Sequence, residues 1–203
     1  LMFTGIVQGT GTVVSTRDGE TIRTLIIELP NVERLAIGAS VAINGVCLTA
    51  TKIDSNQVHF DVIQETLTRT SIGELEATHL VNVERSLTFG DEIGGHILSG
   101  HVMGTGLVHT VDRSGEGMNL EILVPSELRK FILEKGYIGV DGISLTVGAV
   151  QNGCFSLHII PETLRLTTLG HHEVGDAVNL EIDANTQTIV ETVERYMAQN
   201  HGA

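Results

Sequence analysis

The chain is written twice, and this repetition limits the folds open to it more than any other feature. Gly5/Gly100, Val7/Val102, Gly9/Gly104, Thr10/Thr105, Gly11/Gly106 and Val13/Val108 match at a constant offset of 95. A two-residue insertion then moves the offset to 97, which places Asn44-Gly-Val-Cys-Leu-Thr-Ala50 over Asp141-Gly-Ile-Ser-Leu-Thr-Val147. Glu65-Thr-Leu67 and Val81-Asn-Val-Glu84 keep that second offset with Glu162-Thr-Leu164 and Val178-Asn-Leu-Glu181. Long blocks in register on either side of one shift mean two homologous domains. We place them at 2–96 and 97–184, with a tail at 185–203.

Each copy reads as β. Thr21–Glu28 and Gln57–Ile63 are short and rich in β-branched residues, and turn signals such as Arg17-Asp-Gly19 and Asp54-Ser-Asn56 bound them. Several such strands in under about 100 residues predict a small closed barrel, which also removes exposed edges. One short helix per copy is expected, at Pro125–Lys135 in the second, where Pro125 starts it and Gly136 stops it. After residue 183, Ile189, Val190, Val193, Tyr196 and Met197 recur at helical spacing, and Thr188–Glu191 reads as a capping box. That amphipathic helix has to dock on its own barrels or on another chain, and we favour another chain.

Composition excludes several functions. Acids outnumber bases 25 to 12, so a polyanionic partner such as nucleic acid is unsuitable. No window approaches the roughly 18 consecutive apolar residues of a membrane span. The first residues lack the basic stretch and apolar run of a signal peptide, so a cytoplasmic location is expected. Cys47 and Cys154 are too few for a disulfide framework. Gly9-Thr-Gly11 and Gly104-Thr-Gly106 are too short for a dinucleotide fingerprint, and Gly142-Ile-Ser-Leu-Thr146 departs from the esterase elbow at Thr146. His96 and His101, five apart on a presumed strand, point to opposite faces and are not expected to share a metal. His96 alone reads as a hydrogen-bonded structural histidine, and His171-His172 as a solvated turn.

Duplication supplies an internal control. Paired positions that differ in reactive type are candidates for unequal roles, and three stand out: Cys47 against Ser144, Asn44 against Asp141, and Ile6 against His101. A thiol opposite a hydroxyl, each within Gly-x-(Cys/Ser)-Leu-Thr, points to related pockets of different reactivity.

Met2-Phe-Thr-Gly-Ile-Val7, Asn44–Thr49, Gly94-Gly-His-Ile-Leu-Ser-Gly-His101, Asp141–Thr146 and Ile160-Pro-Glu-Thr-Leu164 together resemble the motif set of the riboflavin synthase family, α-chain type. The resemblance implies an all-β protein of two tandem Greek-key, six-stranded antiparallel barrels plus a C-terminal α-helix, assembled as a homotrimer through those helices. It implies a dismutation of two 6,7-dimethyl-8-ribityllumazine molecules, one per barrel, to riboflavin and 5-amino-6-ribitylaminouracil. No cofactor or metal is implied, and association with lumazine synthase is. The binding segments it implies in the first copy are Gly5, Ile6 and Val7, then Cys47, Leu48 and Thr49, then Asp61, Val62, Ile63, Gln64, Glu65 and Thr66. In the second copy they are Gly100, His101 and Val102, Lys135, Ser144, Leu145 and Thr146, then His158, Ile159, Ile160, Pro161, Glu162 and Thr163. Phe3 is expected as a lid on the first pocket. Cys47, Ser144 or water is the expected nucleophile, His101 the base, and Asp141 its support. The alternative within the resemblance is a lumazine- or flavin-binding fluorescent antenna without chemistry.

Overall fold

A computed structural model of the chain describes residues 2–200; residues 201–203, within the expected tail, lie outside it. Alternating burial makes the strands. In Gln57–Ile63, Val58, Phe60 and Val62 point inward and the residues between them outward. The first copy forms β1 (Gly9–Asp18), β2 (Ile22–Glu28), β3 (Ser40–Ile43), β4 (Val46–Asp54), β5 (Gln57–Ile63) and β6 (Leu80–Arg85). They close into an antiparallel barrel in the order β1-β2-β5-β4-β3-β6, with β6 returning to β1.

The second copy forms β7 (Gly104–Asp112), β8 (Met118–Leu123), β9 (Tyr137–Val140), β10 (Ile143–Thr146), β11 (Val150–Gln151), β12 (Cys154–Ile159) and β13 (Ala177–Ile182). Its order, β10-β9-β13-β7-β8-β12-β11, repeats that of the first, with the fourth strand divided into β10 and β11. Across the break, Gly148 N donates to Ser156 O (2.8 Å) and Ser156 N to Ala149 O (2.9 Å), which keeps this edge joined to β12.

Both barrel interiors are filled. Leu25, Ile27, Ile43, Phe60 and Val81 pack the first, and Leu120, Ile122, Val140, Phe155 and Leu180 the second. At about 1.5–3 kcal/mol for each large apolar side chain buried, these are the main sources of stability. A ligand must therefore lie on the outside of a barrel wall rather than in its lumen.

The helices differ from expectation. In each copy a short helix follows the fifth strand: α1 (Gln64–Arg69) and α2 (Pro161–Leu166), with Pro161 opening the second. Pro125–Lys135 is not an α-helix and holds only a short 3-10 turn at Arg129–Phe131. Leu128 N, Phe131 N and Ile132 N each donate to the carbonyl three residues back, which winds the chain tightly and sinks Leu128, Phe131 and Ile132 into the second core. The last helix, α3 (Ala184–Asn200), is capped by Asp183, whose Oδ1 accepts from Thr186 N (2.7 Å) and Oγ1 (2.8 Å). Thr188–Glu191 therefore lies inside the helix, not at its start. Val190 packs on the second barrel and Lys130 Nζ meets Glu194 at 2.5 Å, so α3 does dock on its own chain. Ile189, Val193 and Tyr196 remain exposed.

The copies meet about a local twofold axis. Two β-turns abut there, and a Cβ on Gly45 would lie 2.6 Å from Gly142 N, one on Gly142 2.7 Å from Gly45 N. Both glycines also have positive φ, so each is required twice over. Asn82 Nδ2 donates to Asp141 O (3.0 Å) and Asn179 Nδ2 to Asn44 O (2.8 Å), binding each turn to the opposite barrel.

Candidate functional site

Two arms, Phe3–Val7 and Leu98–Val102, decide which residues share a face. They pair with each other through Phe3 and Leu98, then each crosses to the opposite barrel. Gly5 O accepts from Ser144 N (2.8 Å) and Gly100 O from Cys47 N (2.9 Å). Val7 enters the core of the second barrel and Val102 that of the first. The expected grouping is thus corrected: Gly5, Ile6 and Val7 belong with Ser144, while Gly100, His101 and Val102 belong with Cys47. Buried carboxylates anchor both arms. Glu84 accepts from Thr4 N, Thr4 Oγ1 and Gly5 N, and Glu181 from Ser99 N, Ser99 Oγ and Gly100 N. Burial pushes the Glu84 carboxyl up, against the pull of those donors.

Phe3 is not a lid. It is 1% exposed and packs with Ala42 and Leu98 between the arms, with Cys47 against them.

The first face lies on β4 and β5. Cys47 and Thr49 point outward while Leu48 turns into the core, a consequence of strand alternation. Burial raises the Cys47 thiol, only partly offset by a hydrogen bond with Ser40, so the group is a protonated thiol and not a thiolate near neutral pH. Asp61 accepts from Thr24 Oγ1 (2.7 Å), Val62 points inward, and Ile63 is exposed where the chain turns into α1. Gln64, Glu65 and Thr66 form the first turn of α1. His101 opens onto a cleft of about 540 Å³ shared with Glu65, Arg69 and Gln187.

The second face carries the more reactive arrangement. Ser144 Oγ and His96 Nδ1 share a hydrogen bond of 2.6 Å. The imidazole is 8% exposed, lies parallel to the Tyr137 ring at 5.3 Å between centroids, and its Nε2 is buried with no hydrogen-bond partner. Burial lowers the His96 pKa, and the Asp183 carboxylate opposes this, so the ring is neutral and able to accept a proton. Space for this contact comes from Gly95, where a Cβ would fall 2.7 Å from Ser144 Cβ and 2.2 Å from Thr4 O. Thr146 and Ile6 are exposed beside it, Leu145 is half-buried against the core, and Lys135 is exposed in a left-handed conformation that the first copy gives to Gly38. His158 Nδ1 is 2.7 Å from Asn119 Oδ1, Ile159 points inward and Ile160 outward. Pro161, Glu162 and Thr163 begin α2, with Glu162 paired to Arg165.

Two expected contacts are absent. His101 lies on the other face from Ser144, which has His96 as its partner. Asp141 does not reach His101 either: Oδ1 accepts from Asn179 N (2.8 Å) and Oδ2 meets His172 Nε2 at 3.0 Å. Sequence reasoning did not place His96 or Tyr137 beside Ser144, where the structure brings both. The available signal was Gly94-Gly95 before His96, two small residues that let the imidazole approach another strand.

The Asp141–His172 pair makes stability depend on pH. Burial pulls the His172 pKa down, but the hydrogen bond and charge of Asp141, joined by Asp176, outweigh it and the net shift is upward. A raised folded-state value means this contribution is fully present below about pH 6.5 and is lost as pH rises through the folded value. The expected result is a His172→Asn deficit in melting temperature that is largest near pH 6 and shrinks toward pH 9. A deficit constant across that range would contradict it.

Among the described residues no group of three or more His, Cys, Asp or Glu side chains is placed to hold a metal ion, and no helix is long and apolar enough to cross a membrane.

Comparison with known proteins agrees with the duplicated fold. The lumazine binding domain family matches residues 4–86 and 99–183. Riboflavin synthase of Escherichia coli strain K12 is 50% identical over 205 residues, covering 100% of this chain and 96% of that protein. The riboflavin synthase of Buchnera aphidicola subsp. Schizaphis graminum is 42% identical, with 98% of this chain and 97% of that protein covered. Among solved structures, LumP complexed with 6,7-dimethyl-8-(1'-D-ribityl) lumazine superimposes with a TM-score of 0.82 at 27% identity, over 89% of this chain and 99% of that one. LumP complexed with riboflavin gives 0.83 at 29%, with the same coverage.

Proposed function

The chain belongs to the lumazine-binding domain family, its activity is riboflavin synthesis, and we propose that its two faces carry the two lumazines of one turnover. One 6,7-dimethyl-8-ribityllumazine gives up a four-carbon unit to the other, leaving riboflavin and 5-amino-6-ribitylaminouracil, so the atoms of two substrates equal those of two products. The observation that carries the division of labour is the His96–Ser144 hydrogen bond on one face and the protonated Cys47 thiol at the matching position of the other.

His96 Nδ1 takes a proton through Ser144, either from the hydroxyl as it adds to lumazine C7 or from the C7 methyl of the donor ring. Cys47, held as a thiol, contacts its ring as a neutral donor. Backbone groups of the arms and the outward Thr49 and Thr146 suit the polar ring edge and ribityl chain. Each face is shallow in a single chain. Exposed Ile6, Ile63 and Ile160 on the faces and Ile189, Val193 and Tyr196 on α3 support assembly as a homotrimer through α3, with one chain's first face against its neighbour's second. Juxtaposition of that kind turns a bimolecular encounter into an intramolecular step.

The similarity to LumP favours a second reading, a non-catalytic antenna that binds one lumazine or flavin. Mixing the purified protein with 6,7-dimethyl-8-ribityllumazine and following riboflavin absorbance separates them. Conversion with one riboflavin formed per two lumazines consumed is expected; binding without conversion would overturn the enzymatic reading.

A further inference from the structure

The imidazole of His96 is held by one hydrogen bond. An acid–base histidine usually has its second nitrogen fixed by a carboxylate or carbonyl, which sets both tautomer and ring plane. Here Nε2 is buried and has no such partner. Rotation of the ring about its bond to Cβ is therefore opposed by that single hydrogen bond, and a second restraint is needed to hold the ring plane with Nδ1 at 2.6 Å from Ser144 Oγ.

The group placed to do so is Tyr137. Its ring lies 5.3 Å from the imidazole at an interplanar angle of 20°, a stacked arrangement that fixes the plane of both. Tyr137 pairs across the ladder with Thr146, two residues along from Ser144, so it sits on the same outer surface. The repeat supplies a control. In the first copy the corresponding position, opposite Thr49, is Ser40, whose hydroxyl bonds the Cys47 thiol. An aromatic cover thus appears where the matching site holds an imidazole and a hydroxyl, and a small polar residue where it holds a thiol. The tyrosine itself is 57% exposed, so one side of its ring is open while the other lies over the imidazole.

We propose that Tyr137 is a positioning residue for the reaction: its ring holds the His96 imidazole in the plane that puts Nδ1 on Ser144 and keeps water from that imidazole. The inference rests on the reading of His96 as the proton acceptor. Other groups around the ring are Ser144, the Tyr137 phenol itself and the Asp183 carboxylate at the start of α3, which is already engaged by Thr186. Loss of the tyrosine ring hydrates the imidazole and favours its charged form, so its pKa rises. A base with a higher pKa moves the acidic limb of the kcat profile to higher pH.

The test compares Tyr137→Phe, Tyr137→Leu and Tyr137→Ala with the parent protein. His96 is titrated by NMR of the imidazole nitrogens, and kcat and KM for 6,7-dimethyl-8-ribityllumazine are measured across pH. Tyr137→Phe is expected to match the parent, because the ring and not the hydroxyl does the holding. Tyr137→Ala is expected to raise the His96 pKa, to move the acidic limb of kcat by the same amount, and to lower kcat about ten- to a hundredfold with KM little changed. Tyr137→Leu supplies the reading if the alanine variant melts at a much lower temperature. An unmoved His96 titration in both truncated variants overturns the proposal. A titration that moves while the kcat limb stays fixed supports the hold of Tyr137 on His96 and overturns the base role instead.

Discussion

Exchanging His96 for glutamine is expected to lower kcat by about 10²–10⁴-fold, the range for removing a positioned acid–base group. Glutamine retains a hydrogen-bonding group near Ser144, so KM and melting temperature should change little. The same exchange at His101 should leave the chemical step within about tenfold and act mainly on KM, since that ring lies on the first face beside Glu65. The two histidines are five residues apart in one segment and of one chemical type. Only the crossing of the arm, with His96 before Leu98 and His101 after it, sends them to different barrels. A His96→Gln variant with parental kcat would remove His96 from the mechanism.

The second large effect is expected at Phe3. Its ring is among the most deeply buried in the molecule and joins Ala42 and Leu98 in a small core that belongs to neither barrel interior. Phe3→Ala should cost about 3–5 kcal/mol, as for other buried aromatic truncations. Because a Cβ on Gly100 would lie 3.0 Å from the Phe3 ring and 2.5 Å from Cys47 Cβ, the lost ring also loosens the arm over the thiol. Faster alkylation of Cys47, with Cys154 unchanged as a buried reference, is the accompanying readout. A variant that melts and labels like its parent would show that the arms are held by their glutamates alone.

Sequence reasoning reached the duplication, the barrels and the terminal helix because each leaves a local pattern: register, two-residue alternation, and recurrence at helical spacing. It misplaced the second copy's helix because Pro125 and Gly136 bound a segment whose apolar residues are spent on the barrel core. It singled out Cys47 and Ser144, which occupy matching positions on the two faces, but grouped each with the arm that meets the other. Nothing in the pattern around Gly5 or Gly100 distinguishes an arm that folds back from one that crosses, since both satisfy the same strand N–H groups. Asp141 was chosen for its difference from Asn44, and that difference has a structural cause: the carboxylate meets His172, where the first copy has Leu75.

The crossed arms have a genetic consequence. Glu84 and Ser144 shape one face from opposite halves of the gene, and Glu181 and Cys47 shape the other. In mixed assemblies of two defective chains, rescue should follow the face that is damaged and ignore the half in which the lesion is encoded. Chains lesioned at Glu84 and at Ser144 should fail to rescue each other, while chains lesioned at Ser144 and at Cys47 should regain part of their turnover.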